Sequence, residues 1–274
     1  LNLENIKTTL SVEEAVTQSQ LAVFALPSAY LEEMAKRIKP EWIKERPIAV
    51  SIKSFVPGTG YVPAAFLAKH FRMPDTAMIL SGPCHAEEIA LERNTYLTIA
   101  GHNKAQVAEV ADSITAPYVR CILNEDPVGV QYAAILKNIV GIATGIASGL
   151  HYGENFMAVL ASNAMREIKI FLNTVHKAAR DLHNSAYFGD VLVTAYSDYS
   201  RNRTLGKLIG RGLQVTKALQ SMEMVAEGYY ASKELAVIAR QMAVSLPIIN
   251  SVYRILHEHA NPFHEFKLVE KQLF

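Results

Sequence analysis

Residues 127–153, PVGVQYAAILKNIVGIATGIASGLHYG, include one Lys, Arg, Asp or Glu, which is Lys137, followed directly by Asn138. Val130, Ala133, Ile135, Leu136, Ile139, Val140, Ile142 and Ile146 fall on every side of a helix rather than along one stripe. A helix apolar all round belongs in the middle of a structure. Lysine is almost never fully buried without a partner. Lys137 therefore has a dedicated carboxylate or works on a ligand. The plainer alternative is a lysine that snorkels out of a half-buried helix.

With 274 residues, half of them hydrophobic, the chain can build two modest domains and a sizeable core. A net charge of +1 gives no sign of a nucleic-acid or membrane-surface partner. Cys84 and Cys121 form no ligand pattern, and they fit a reducing, cytoplasmic setting better than a disulfide scaffold. No basic-then-apolar leader opens the chain. The 127–153 stretch is long enough to cross a bilayer, but its central Lys, its Gln and Asn, and its five glycines argue against an integral membrane segment. The first residue is Leu, so the sequence reads as starting in the middle of something.

Before residue 125, short apolar runs at 21–26, 47–52, 76–80, 95–100 and 118–123 alternate with helical spacing at 29–38, 61–71, 85–92 and 105–114. Apolar runs separated by helices predict a mostly parallel α/β sheet with covered faces. After Asp126-Pro127 the strand signal stops. Stretches 128–149, 156–179, 203–208, 225–242 and 247–257 read as helices. The boundary falls near 125, and the apolar helix opens the second half. It should line the junction between the two, where ligand sites concentrate.

Five clusters carry candidate chemistry. Lys53 stands at the carboxyl end of the second run, where open α/β sheets place ligands, and can clamp an anion or be an ordinary loop lysine. Ser81-Gly82-Pro83-Cys84-His85-Ala86 links the third run to a helix whose first N–H groups suit an anion, or is a plain connection. Cys84 reads as a small packing residue rather than a nucleophile. Asp190, the only acid of the Gly189–Thr194 segment, can partner Lys137, hold a substrate hydroxyl or cap a helix. Ser200-Arg201-Asn202-Arg203 offers an N-cap with an arginine beside free N–H groups, a phosphate holder or a solvated turn. Glu227, in Val225-Ala226-Glu227-Gly228, suits the first turn of a helix. The nine histidines show no HExxH-type spacing, so no metal is expected. Two lysines, an arginine and a carboxylate around one apolar helix suit a small phosphorylated substrate, with a lysine for proton transfer.

The segments SIKSFVP, ILSGPCHAEEIA, AAILKNIVGIATGIASGL, YFGDVLVT, YSRNRTLGKLIGRG and MEMVAEGYYASKEL, in this order, resemble the bacterial-type NAD(P)-dependent glycerol-3-phosphate dehydrogenases. They span 51–234, and the closing LPIINSVYRILHE also fits. The resemblance implies a Rossmann domain over 1–125 and an all-α substrate domain of the 6-phosphogluconate dehydrogenase type over 126–274. It implies interconversion of dihydroxyacetone phosphate and sn-glycerol 3-phosphate with NAD or NADP, for glycerophospholipid synthesis. By the same resemblance Lys137 is the catalytic lysine and Asp190 its partner at the substrate. Lys53 contacts both ligands. Gly82, Cys84, Thr194, Ser200, Arg201 and Asn202 surround the substrate. Ala86, Val225 and Glu227, with Arg201, lie near the cofactor. The assembly leaves room for a homodimer.

The chain departs from the family in three places. Ser54 follows Lys53 where the family usually has Gly, and Cys84 replaces a hydroxyl residue, making a weaker donor. The G-x-G-x-x-G fingerprint of a dinucleotide-binding half is absent. About 60–80 residues of the family pattern, roughly one βαβ unit and a helix, would precede Leu1. The sequence is therefore expected to be part of a longer protein; an expressed truncation and a truncated non-catalytic paralogue without cofactor binding are the alternatives. Another two-domain reductase, acting on a hydroxy acid or an acyl thioester, is the second enzyme reading. Preference between NAD and NADP is not legible, because the end of the family's second strand decides it.

Overall fold

The computed structural model of the chain describes residues 5–74 and 76–273. The first part runs α1 (Val12–Thr17), β1 (Ala22–Phe24), a 3-10 turn (Ser28–Tyr30), α2 (Leu31–Lys36), α3 (Pro40–Ile43), β2 (Ile48–Val50), α4 (Pro63–Phe71), β3 (Met78–Ser81), α5 (Ala86–Ala90), β4 (Thr95–Ala100), α6 (Lys104–Ile114) and β5 (Val119–Asn124). These strands form one sheet in the order β1-β2-β3-β4-β5. Strands β2 and β3 are buried along their whole length, which is why they read as unbroken apolar runs rather than alternating ones. One buried cluster on the sheet, with Met78, Leu80 and Ile99, is covered by Val107, Val110 and Ala111 of α6.

Three of the four strand pairings are parallel, and β3 with β4 is antiparallel. The link between those two carries only the five-residue α5, not a strand-length helix that would return the chain to begin a parallel neighbour. The chain instead turns at the end of β3, and β4 starts beside it. Gly82, at φ +114°, makes that turn, and a Cβ there would come 2.9 Å from the Tyr96 carbonyl oxygen.

From Pro127 on, the described residues are helical or in short links: α7 (Pro127–Gly149), α8 (Glu154–Val175), a π-helical turn (Ser185–Gly189), α9 (Asp190–Tyr196), α10 (Arg201–Gly210), α11 (Val215–Gln220), α12 (Glu227–Gln241), α13 (Pro247–His257) and α14 (Pro262–Glu270). Asp126 caps α7, its carboxylate accepting from Gly129 N at 3.0 Å, and Pro127 sits in the first turn, where its missing N–H costs nothing. Helix α7 is long and apolar enough to cross a membrane, yet 94% of its most apolar window is buried inside the fold. Its side chains join one apolar core that reaches from Val50 and Phe55 to Phe171 and Val252. Phe55, Tyr132 and Phe171 form a chain of edge-on rings across α7, with centroids 6.1 and 5.6 Å apart.

Glycine spacing decides what lies on α7. Gly145 and Gly149 face Gly206 and Gly210 of α10, and a methyl group at any of the four would overlap backbone atoms of the other helix. Small residues four apart let two backbones touch. Gly141 gives α9 the same close approach, since a Cβ there would lie 2.8 Å from Thr194 Cγ2. The first turns of α9 and α10 are thereby drawn against the middle of α7, where Lys137 stands.

Several elements differ from the sequence expectation. The helix expected over 29–38 begins as a 3-10 turn, and that over 156–179 starts at Glu154 and ends at Val175. Helices α1, α3, α9, α11 and α14 went unread. The first four are at most seven residues long, too short to show a period.

Candidate active site

A cleft of about 670 Å³ lies between the carboxyl ends of β1–β3 and the helices α7, α9, α10 and α12. Lys137, about three helical turns short of the end of α7, is 7% exposed and ion-paired with Asp190, which is 1% exposed. Asp190 is the first residue of α9, so it is not the N-cap; Gly189 holds that position. Its other carboxylate oxygen accepts from Ser81 Oγ at 3.4 Å, at the end of β3. Thr194, one turn on, donates its hydroxyl back to the Asp190 carbonyl at 2.8 Å. The lone charge of the apolar helix thus has a dedicated partner, and the snorkelling alternative fails.

Burial pushes the Lys137 ammonium below the ordinary lysine range, and the nearby charge of Lys53 adds to this. Asp190 opposes both without cancelling them. Lys53, half-buried just beyond β2, shifts the other way. Burial alone would lower it, but Cys84, Asp190 and Glu227 together outweigh burial and the repulsion from Arg201. Asn138 fixes the Lys53 loop to α7 by donating Nδ2 to the Lys53 carbonyl at 2.9 Å.

Ser200 caps α10, its hydroxyl accepting from Arg203 N at 3.3 Å. Arg201 then leaves the first turn of α10 as an exposed side chain. Asn202 turns inward and accepts from Gly228 N at 2.9 Å, tying α10 to the start of α12. That contact brings Glu227 to the cleft, where Ser28 N reaches its carboxylate at 3.5 Å. Burial raises the Glu227 carboxyl above the usual range, against the pull of Ser28 N, Lys53 and Arg201. Cys84 donates its thiol to the Gly82 carbonyl at 3.2 Å.

All twelve residues named from the sequence line this one cleft. Lys53, Gly82, Cys84 and Ala86 come from the sheet side, Lys137 from α7, and Asp190 and Thr194 from α9. Ser200, Arg201, Asn202, Val225 and Glu227 complete it. Among the described residues, neither Lys53 Nζ nor the Arg201 guanidinium makes a salt bridge or hydrogen bond. Sequence reasoning missed His85, Asn138 and Tyr199, which also line the cleft. Burial and the charge of Lys137 lower the His85 pKa, and its Nε2 is buried without a partner. No spacing signal marks a single histidine in a link.

A mainly parallel nucleotide-type sheet joined to an all-helical half, with a lysine–aspartate pair in the cleft between, defines a Rossmann-like dehydrogenase with a 6-phosphogluconate dehydrogenase-type helical part. Within that class the chain belongs to the NAD-dependent glycerol-3-phosphate dehydrogenases. The model of that family's N-terminus matches residues 2–107, and the model of its C-terminus matches 126–267. The chain is 33% identical over 274 residues to glycerol-3-phosphate dehydrogenase (NAD(P)+) of Clostridium botulinum strain Eklund 17B, covering 98% of this chain and 82% of the relative. The enzyme of that name from Fusobacterium nucleatum is 31% identical over 260 residues, covering 94% and 77%. Among solved structures, glycerol-3-phosphate dehydrogenase from Coxiella burnetii superposes with a TM-score of 0.89 at 26% identity, over 94% of this chain and 79% of that one. D-Mandelate dehydrogenase with NADH, at 11% identity and a TM-score of 0.54 over 88% and 79%, shares the fold alone.

Proposed function

We propose that the chain interconverts dihydroxyacetone phosphate and sn-glycerol 3-phosphate, with residues 126–274 as the substrate and catalytic domain and 1–125 as part of the dinucleotide-binding one. The observation that carries this reading is the pair of cations, Lys53 and Arg201, free of salt bridges in a cleft whose third cation, Lys137, is already paired. Two free cations at one cleft suit a phosphate dianion. Arg201 stands at the N-terminus of a ten-residue helix, which adds favourable backbone N–H groups.

The residues present fit the reactive end of a nicotinamide dinucleotide. His85 Nε2 is a buried polar atom left without a protein partner at the cleft, which Lys53 just beyond β2 and Glu227 at the start of α12 also line. Lys53, Ala86, Arg201, Val225 and Glu227 would hold that end. No G-x-G-x-x-G turn occurs in these 274 residues, so no residue is assigned to the pyrophosphate. When bound, NAD(P)H supplies hydride to the substrate carbonyl carbon.

Lys137 holds the proton that the carbonyl oxygen needs as it becomes an alcohol. A buried ammonium with a lowered pKa gives up its proton more readily than an ordinary lysine. Asp190 orients the ammonium and accepts a substrate hydroxyl. Lys53 and Arg201 bind phosphate, with Ser200, Asn202 and Thr194 shaping the wall around it. The Gly82 turn brings backbone close to the substrate, and Cys84 supplies a weak donor beside it. Two unpaired thiols support a reducing, cytoplasmic setting.

The test is turnover of the purified protein, in its full natural length, with dihydroxyacetone phosphate and NADPH or NADH. Arg201→Ala should raise KM for the phosphorylated substrate by about 10- to 100-fold, the loss of a charge-assisted contact. Turnover of a hydroxy acid or acyl thioester, with none of dihydroxyacetone phosphate, would contradict the reading.

A further inference from the structure

Behind the cleft lies a second polar cluster that the reaction does not touch. Asp126 sits at the hinge between β5 and α7, and its carboxylate serves two elements at once. It caps the first turn of α7 through Gly129 N at 3.0 Å, and it accepts from Tyr187 Oη at 2.9 Å. Arg180 pairs with it, and His176 Nδ1 stands 3.6 Å away. Gly129 cannot carry a side chain, because a Cβ would run into the Asp126 carboxylate and the Arg180 guanidinium. Tyr187 is 2% exposed and lies in the middle of the π-helical turn Ser185–Gly189. Asp190 follows that turn directly, and its backbone N–H donates to the carbonyls of Tyr187 and Ser185. One carboxylate therefore holds both the start of the Lys137 helix and the backbone that carries Asp190. Turns of π-helix cluster at functional sites, where an extra residue re-aims a side chain.

We propose that Tyr187, anchored on Asp126, is a positioning residue that fixes the register of Asp190 against Lys137 and so sets the proton affinity of the lysine. This rests on the reading of Lys137 as proton donor, but it concerns the geometry behind the pair. The groups facing Lys137 are Asp190 from α9, Lys53 beyond β2, and Cys84 and His85 from the β3–α5 link. Only Asp190 is covalently continuous with the anchored turn. Loosening the anchor withdraws the carboxylate that favours the ammonium and leaves burial and Lys53 in place. The lysine then titrates at lower pH.

The test is nitrogen NMR titration of the lysine side chains in the folded chain. The Lys137 signal is assigned by its loss in Lys137→Arg. Tyr187→Phe keeps the ring and removes one hydroxyl. It should lower the Lys137 midpoint by about one pH unit. Asp126→Asn keeps the shape, should shift it the same way, and supplies the reading where Tyr187→Phe does not fold. The double variant should shift no further than the larger single one, since both act on one link. Variants that melt earlier but leave the Lys137 midpoint where it was would overturn the positioning role. The titration needs no turnover, so its outcome is separate from that of the proposed reaction. An active Lys137→Met enzyme would instead remove the reading beneath it.

Discussion

At the scale of single residues, the site works by contrast between three cations in one cleft. Lys137 is paired, buried and pushed down; Lys53 is half-buried and held up by the negative groups around it. The lowered lysine suits proton transfer, and the raised one suits a permanent charge on phosphate. This contrast fixes a pH dependence. With Lys137 as the proposed proton donor, ketone reduction needs its ammonium, so kcat should fall as pH rises through a midpoint below that of ordinary lysine. Alcohol oxidation needs the neutral amine, so its kcat should rise over the same range. Profiles in both directions check this, and parallel limbs of the same sign would contradict it. Lys137 was legible in the sequence because it breaks an otherwise apolar pattern. Asp190 was legible as a partner for Lys137 or a helix cap; that it is the first residue of the helix, with Gly189 as the cap, was not, because an irregular π-helical turn precedes it.

At the scale of elements, α7 and α10 matter most. Their glycines bring the SRNR turn to the lysine, and larger side chains cannot fit without moving backbone. Gly145→Val should destabilise the protein by about 1–3 kcal/mol and raise KM, because the phosphate end of α10 is displaced. Urea melts and steady-state kinetics together check this, and unchanged KM would contradict the link between packing and site. Glu167 of α8 supports another junction. Its carboxylate accepts from Ile248 N at 2.7 Å and Ile249 N at 3.2 Å, at the start of α13, and burial raises its pKa to about 7. The folded pKa is above the unfolded one, so the native state binds the extra proton. That contribution is complete below pH 4.5, the ordinary glutamate value, and is lost as pH rises to about 7. Glu167→Gln should flatten the stability profile across this window, as read by melting temperature against pH.

At the scale of the whole molecule, the two halves share one core through α7, and the cleft draws on both. Much of this could be read beforehand, because buried parallel strands and an all-round apolar helix both leave long uninterrupted signals. The antiparallel β3–β4 pair could not, since an apolar run has no direction written in it. The hub at Asp126 was legible only as a domain boundary, because Tyr187 and Arg180 reach it from 54 or more positions away. Family membership supplies the chemistry, and the proposed reaction places it in this cleft with the proton on Lys137. The most direct measurement is turnover of dihydroxyacetone phosphate by Lys137→Met in the full-length protein. The account predicts a loss of about 10²- to 10⁴-fold with the circular-dichroism spectrum and melting behaviour of a folded protein. Near-normal turnover by that variant would contradict it.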